Sequence, residues 1–230
     1  MHQKALYNAV KTPKLLVLLG LVICLFTACY EKATTSKNVF SYNEATGIAT
    51  LDPAFAKNQS IMWAVHQIYN TLVEIDSNLN IVPSLAKSWE VSDDRKTYRF
   101  HLRTDVYFAG DAAFKGGVGR KLVAADVAYS LGRIIDKTVA SSGAWIFNGR
   151  VDSVMPFVVI NDSTFELRLQ RPFHPIMGIL STQYCSVVPK EVVEKYGKDF
   201  RRHPCGTGPF TLKSWDEGEA LILHKNNNYW

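Results

Sequence analysis

The chain has 230 residues, 47% of them hydrophobic and 12% aromatic, with a formal net charge of +5. That is enough apolar material for a sizeable core, and it leaves room for more than one domain. Three lysines (Lys4, Lys11, Lys14) and no acid lie in the first 28 residues. The rest is close to neutral and holds no basic block that would track a nucleic-acid backbone, which argues against a nucleic-acid partner.

The lysines precede "LLVLLGLVICLFTAC". An apolar run of about 14 residues is short for a bilayer span and suits the core of a signal peptide. It ends in "LFTAC", residues 25–29, where Thr27 and Ala28 before Cys29 resemble a lipobox, although Phe26 departs from it. The expectation is a lipoprotein signal peptide over 1–28, a lipidated Cys29 holding the protein on a membrane, and a polar tether over 29–38. A plain secretory peptide with a chance cysteine is the alternative. Two further cysteines remain, Cys185 and Cys205. In an exported protein they either form a disulfide, stabilising by about 3 kcal/mol, or stay as separate buried thiols. Two lone cysteines and scattered histidines make no metal site.

"VFSYNEATGIATLDP" predicts a strand running into a turn at Asp52-Pro53. Ile61, Val65, Ile68 and Leu72 then fall at helical spacing, and Met62, Trp63 and Tyr69 widen the stripe enough to cover both faces. Tyr98, Phe100 and Leu102 alternate with Arg99, His101 and Arg103, the period of a half-buried strand, after the turn residues Ser92-Asp93-Asp94. His101 lies on the polar side and reads as a solvated strand residue. The pattern recurs in "DSTFELRLQRPF", with Phe165, Leu167 and Leu169 on one face and Glu166, Arg168 and Gln170 on the other. Between these strands, Val123, Val127, Leu131 and Ile134 mark a helix.

"GGVGRK" before that helix is no phosphate loop, because Leu122 follows Lys121 where a hydroxyl is needed. "VVPKEVVEKYGKDF" is a short helix with Pro189 near its start and Gly197 past its end. "FTLKSW" and "ALILHKN" form a hairpin around Gly218. "HPCGTGPF" before it leads into a strand, where a phosphate nest would feed a helix, so Gly206 and Gly208 read as turn glycines. The order is mixed α/β to α+β.

Five stretches together, "TLDPAF", "IVPSLAKSWEVSDDRKTYRFHLRTDVYF", "GRKLVAADVAYSLGRI", "VVPKEVVEKYG" and "CGTGPFTLKSW…NNNYW", resemble the extracytoplasmic solute-binding proteins, family 5, of ABC importers. These bind oligopeptides and dipeptides, with nickel- and haem-binding relatives. The resemblance covers residues 39–230. It implies a periplasmic-binding-protein type II-like lobe with an extra subdomain: 39–62 and 180–230 in the first lobe, 63–179 inserted. The second lobe, which would hold a peptide's amino terminus, is expected to be missing, as in a fragment or truncated gene that binds weakly alone. Val123 stands where the family often has a capping Thr, a loss of about 1 kcal/mol unless other groups satisfy the helix amides.

The resemblance also implies ligand contacts from Lys57, Asn58 and Gln59 by strand-like pairing, and from Trp145. The expected partners are a peptide ligand, an ABC permease in the inner membrane, and a membrane through the lipid anchor. No cofactor, metal or catalysis is expected. Alternatives are a nickel-chelate or haem carrier of the same family, a structural lipoprotein, and an exported hydrolase. The last lacks G-x-S-x-G, H-E-x-x-H or a recognisable carboxylate pair.

Overall fold

A computed structural model describes residues 38–230. The expected signal peptide over 1–28, Cys29 and all but the last residue of the expected tether lie outside the described residues. Residues 1–43 and 44–230 form separate units. Of the first, the described residues 38–43 are exposed and form no helix or strand.

Within 44–230, helix α1 (Gln59–Ile68) is followed by the hairpin β1 (Val73–Ile75) and β2 (Ile81–Pro83). β3 (Ala86–Val91), β4 (Thr97–Leu102), β5 (Phe157–Asn161) and β6 (Thr164–Arg168) make an antiparallel sheet in the order β3-β4-β6-β5. Helix α2 (Ala124–Ile135) packs on β5 and β6. Short helices α3 (Ile176–Leu180) and α4 (Lys190–Tyr196) lead to the hairpin β7 (Phe210–Asp216) and β8 (Ala220–Lys225). One core runs from Leu51 to Trp215 through all of these. Among the described residues, no helix is long and apolar enough to cross a membrane.

The alternation read from the sequence holds in the central sheet. Tyr98, Phe100, Leu102, Phe165 and Leu167 are buried. Phe100 pairs directly with Phe165, their ring centroids 6.2 Å apart, and cross-strand aromatic pairs of this kind stabilise a sheet. His101 stays on the polar side, where its Nε2 lies 3.1 Å from Glu90 Oε1. The polar face of β6 has two buried members, Thr164 and Glu166. Glu166 sits opposite Arg99, its Oε1 accepting from Arg99 Nη2 at 2.7 Å and its Oε2 from Arg168 Nη2 at 2.8 Å.

The hydrogen bonds from Arg168, then those from Arg99, hold the Glu166 carboxyl below its ordinary pKa against the opposing effect of burial. The stabilisation is therefore complete above the ordinary carboxylate range and disappears as pH falls through the lowered folded value. Glu166→Gln is expected to lose about 1 kcal/mol near neutral pH, a screened value because the guanidiniums are partly exposed. Urea titrations at descending pH should show the two proteins converging in acid.

Helix α2 forms without a hydroxyl at its N-cap, Val123. Asp126 Oδ2 reaches back to the Val123 amide at 2.9 Å, and the Ala124 amide donates to Asp162 O at 2.8 Å. Arg120 donates to both Asp126 oxygens and both Glu191 oxygens, tying the start of α2 to α4. These partners serve the Val123 and Ala124 amides, and the Asp126 amide donates to Val123 O at 3.0 Å.

Two expectations need correction. Among the described residues no strand precedes Asp52; Leu51 N donates to Arg201 O at 3.0 Å without an adjacent ladder. The first helix ends at Ile68, four residues before Leu72, and Trp63 is 46% exposed, so the apolar stripe does not cover both faces. The helix stops because the Gly206–Gly208 loop lies against its C-terminal end: Gly208 N donates to Ile68 O at 2.8 Å. Gly197 (φ 52°) ends α4 and Gly218 (φ 85°) turns the last hairpin, both as expected. Gly206 and Gly208 do not have positive φ. They are needed for close approach, since a Cβ on Gly206 would stand 2.1 Å from Ile68 O.

Candidate functional site

The segment implied to contact ligand, Lys57 to Gln59, follows a turn headed by Asp52. This residue caps the 3-10 turn Pro53–Phe55, its Oδ1 accepting from Ala54 N at 3.0 Å with proline in the first turn. The same carboxylate takes a bidentate ion pair from Arg133 of α2, at 3.1 and 2.7 Å, with side-chain exposures of 7% and 10%. Burial would lower the Arg133 pKa, but the Asp52 hydrogen bonds and charge raise it, so the guanidinium stays charged. Tyr69 is fully buried, with the Cys205 backbone near its hydroxyl. Burial, and then the charge of Asp52, push its pKa well up, so it remains a neutral phenol.

Beyond the turn, Lys57 is exposed and its amide donates to Phe55 O at 2.7 Å. Asn58 is extended (φ −130°, ψ 163°) and caps α1, its Oδ1 accepting from Ile61 N at 3.1 Å. Gln59 is exposed and already helical. The three residues therefore do not make a strand, because the cap at Asn58 ends the extended run.

Two other segments meet this one. Ser141 Oγ donates to Ala54 O at 2.5 Å and accepts from Gly143 N at 3.0 Å, which ties the loop after α2 to the Asp52 turn. Trp145 follows in the 3-10 turn Ala144–Ile146, 61% exposed, its carbonyl accepting from Arg150 at 2.5 Å. The turn Gln183–Cys185 packs on Pro53–Phe55, and Gln183 Nε2 lies 3.0 Å from His66 Nδ1 of α1. A Cβ on Gly143 would strike the Tyr184 ring at 2.5 Å, so that approach requires glycine. Sequence reasoning named Lys57, Asn58, Gln59 and Trp145 but missed Asp52, Arg133 and Ser141, which hold their segments. "LDP", a helix-capping Asp before Pro, signals the first; nothing local signals the other two.

A separate open cavity of about 360 Å³ is lined by Asp111, Arg202, His203 and Leu212 among others, and by none of the residues named from the sequence. Among the described residues, no group of three or more His, Cys, Asp or Glu side chains is placed to hold a metal ion. Cys185 and Cys205 are free, buried thiols with different partners: Sγ of Cys185 donates to Ile179 O at 3.4 Å, and Sγ of Cys205 to Ala109 O at 3.3 Å. Burial pushes Cys185 up to about 12 and Cys205 up as well. Thiolate is the reactive form. A form beginning at Tyr30 should therefore resist a thiol-specific disulfide reagent while folded and release two equivalents in denaturant.

This mixed α/β fold is that of periplasmic binding proteins of type II. The peptide-bound ABC transporter-associated periplasmic binding protein DppA of Helicobacter pylori superposes with a TM-score of 0.69 and 30% identity, over 80% of this chain and 38% of that one. Residues 80–230 match the model of the bacterial extracellular solute-binding proteins, family 5. The chain belongs to this family. It is 32% identical over 235 residues to the peptide transport periplasmic protein SapA of Salmonella typhimurium, covering 94% of this chain and 42% of that protein. It is 29% identical over 221 residues to the glutathione-binding protein GsiB of Escherichia coli, covering 94% and 39%. The chain thus spans about two-fifths of the length of these relatives.

Proposed function

We propose that this chain is part of a substrate-binding lipoprotein that captures short peptides outside the cytoplasm for an ABC permease, without catalysis. The observation that carries the reading is the joining of the Asp52–Gln59 segment to the Ser141–Ile146 loop, in a chain 30% identical to a protein solved with a peptide. Lys57, Asn58, Gln59 and Trp145 are the proposed ligand contacts. Residues 39–62 and 180–230 are proposed as one lobe, with 63–179 as its inserted subdomain.

Closure of such a lobe on a second one about a hinge would bury the peptide, and backbone hydrogen bonds would dominate affinity. Cys29 is the proposed lipid site. Calorimetry of the full gene product with pooled short peptides should give saturable binding, while the 230-residue chain alone should bind weakly. Tryptophan quenching by nickel chelates or haem, with no heat from peptides, would instead favour a metal or haem carrier.

A further inference from the structure

We propose that Lys57 makes this site select peptides that carry a carboxylate. This rests on the peptide reading above and adds a ligand class to it. The three segments joined at the site are residues 53–68, the loop 137–150 and the turn region 181–189. They contain no aspartate or glutamate, and they carry Lys57, Lys137 and Arg150. Arg150 is engaged, donating to the carbonyls of Trp145 and Ile146 and lying over the Phe173 ring.

Asp52, which opens the segment, is paired with Arg133. Asp136, just before the loop, accepts from the amide and hydroxyl of Thr138. Among the described residues, Lys57 has no ion pair. Its backbone is fixed on both sides, by the Asp52 turn and by the Asn58 cap. An exposed ammonium on a preorganised segment, with no carboxylate to neutralise it, favours a ligand anion and disfavours a ligand cation. Nζ of Lys57 would donate to the ligand carboxylate, either an acidic side chain or the free carboxyl terminus.

Calorimetry on the full gene product separates these sources. The ligands are Ala-Glu-Ala, Ala-Gln-Ala and Ala-Lys-Ala as carboxyl-terminal amides, and Ala-Gln-Ala as the free acid. At least one carboxylate-bearing peptide is expected to bind about tenfold more tightly than the Ala-Gln-Ala amide. The Ala-Lys-Ala amide is expected to bind most weakly. The advantage should shrink as salt is raised. Lys57→Gln should remove most of it without changing the thermal midpoint, Lys57→Arg should keep it, and Lys57→Glu should invert it. Equal affinities, or a preference that survives in Lys57→Gln, overturn this inference and leave the peptide reading standing. Binding of none of the peptides overturns both.

Discussion

Gly206→Ala is expected to destabilise the protein by about 3 kcal/mol or more, the upper range for overpacking a rigid contact. The new methyl group would lie 2.1 Å from Ile68 O and 2.7 Å from the Tyr69 ring. The nearest of these is backbone, so no rotamer change relieves it. The loop cannot simply withdraw. Gly206 O accepts from Ala109 N at 2.9 Å, Gly208 N caps Ile68 O, and Thr207 Oγ1 donates to Asn70 Oδ1 at 3.0 Å. Each of these groups is buried or nearly so, and withdrawal would leave polar atoms unpaired at further cost. Gly132→Ala should act in the opposite direction. It lies within α2 with nothing within 4 Å of its added Cβ, so helix propensity alone should stabilise by about 0.5–1 kcal/mol. Denaturant unfolding of the two variants reads both signs, and a neutral Gly206→Ala would show that the loop does not press on α1.

Asp52→Ala should be at least as damaging, at about 3–5 kcal/mol, because it strands the Arg133 guanidinium in a buried site. It also removes the acceptor for Ala54 N at the head of the candidate ligand segment. Arg133→Met should cost less than Asp52→Ala, since it leaves a carboxylate that still caps the turn. The double variant should fall well short of the sum, as expected for partners in direct contact. Because the Asp52 hydrogen bonds and charge act against burial and keep Arg133 charged, the penalty should be flat across neutral and alkaline pH. Additive losses in a double-mutant cycle would contradict the coupling. Asp52→Ala should also weaken peptide binding even where the protein remains folded, because Lys57 and Asn58 would lose their frame.

Much of this fold was legible from local pattern. Period-two alternation located β4 and β6, the apolar spacing located α2, and Pro189, Gly197 and Gly218 marked the ends and turns they occupy. These features depend on residues close in sequence. What the sequence did not disclose depends on distant partners. α1 stops at Ile68 because of Gly208, far along the chain. Glu166 is buried on a face that alternation marks as polar, because Arg99 and Arg168 clasp it from both sides. Gly206 and Gly208 read as turn glycines, yet their need is space against a helix end. At the candidate site the exposed residues came from family resemblance. The groups that position them, Arg133 and Ser141, carry no local signature, since an arginine on a helix and a serine in a loop are ordinary until the fold brings Asp52 and Ala54 beside them.

Native mass spectrometry of the full gene product, purified from its host without unfolding, tests the central claim most directly. The prediction is a protein carrying short intact peptides that leave on denaturation and are replaced by added peptide. A protein with no peptide that also takes none up, or one that returns added peptides cleaved, would contradict it.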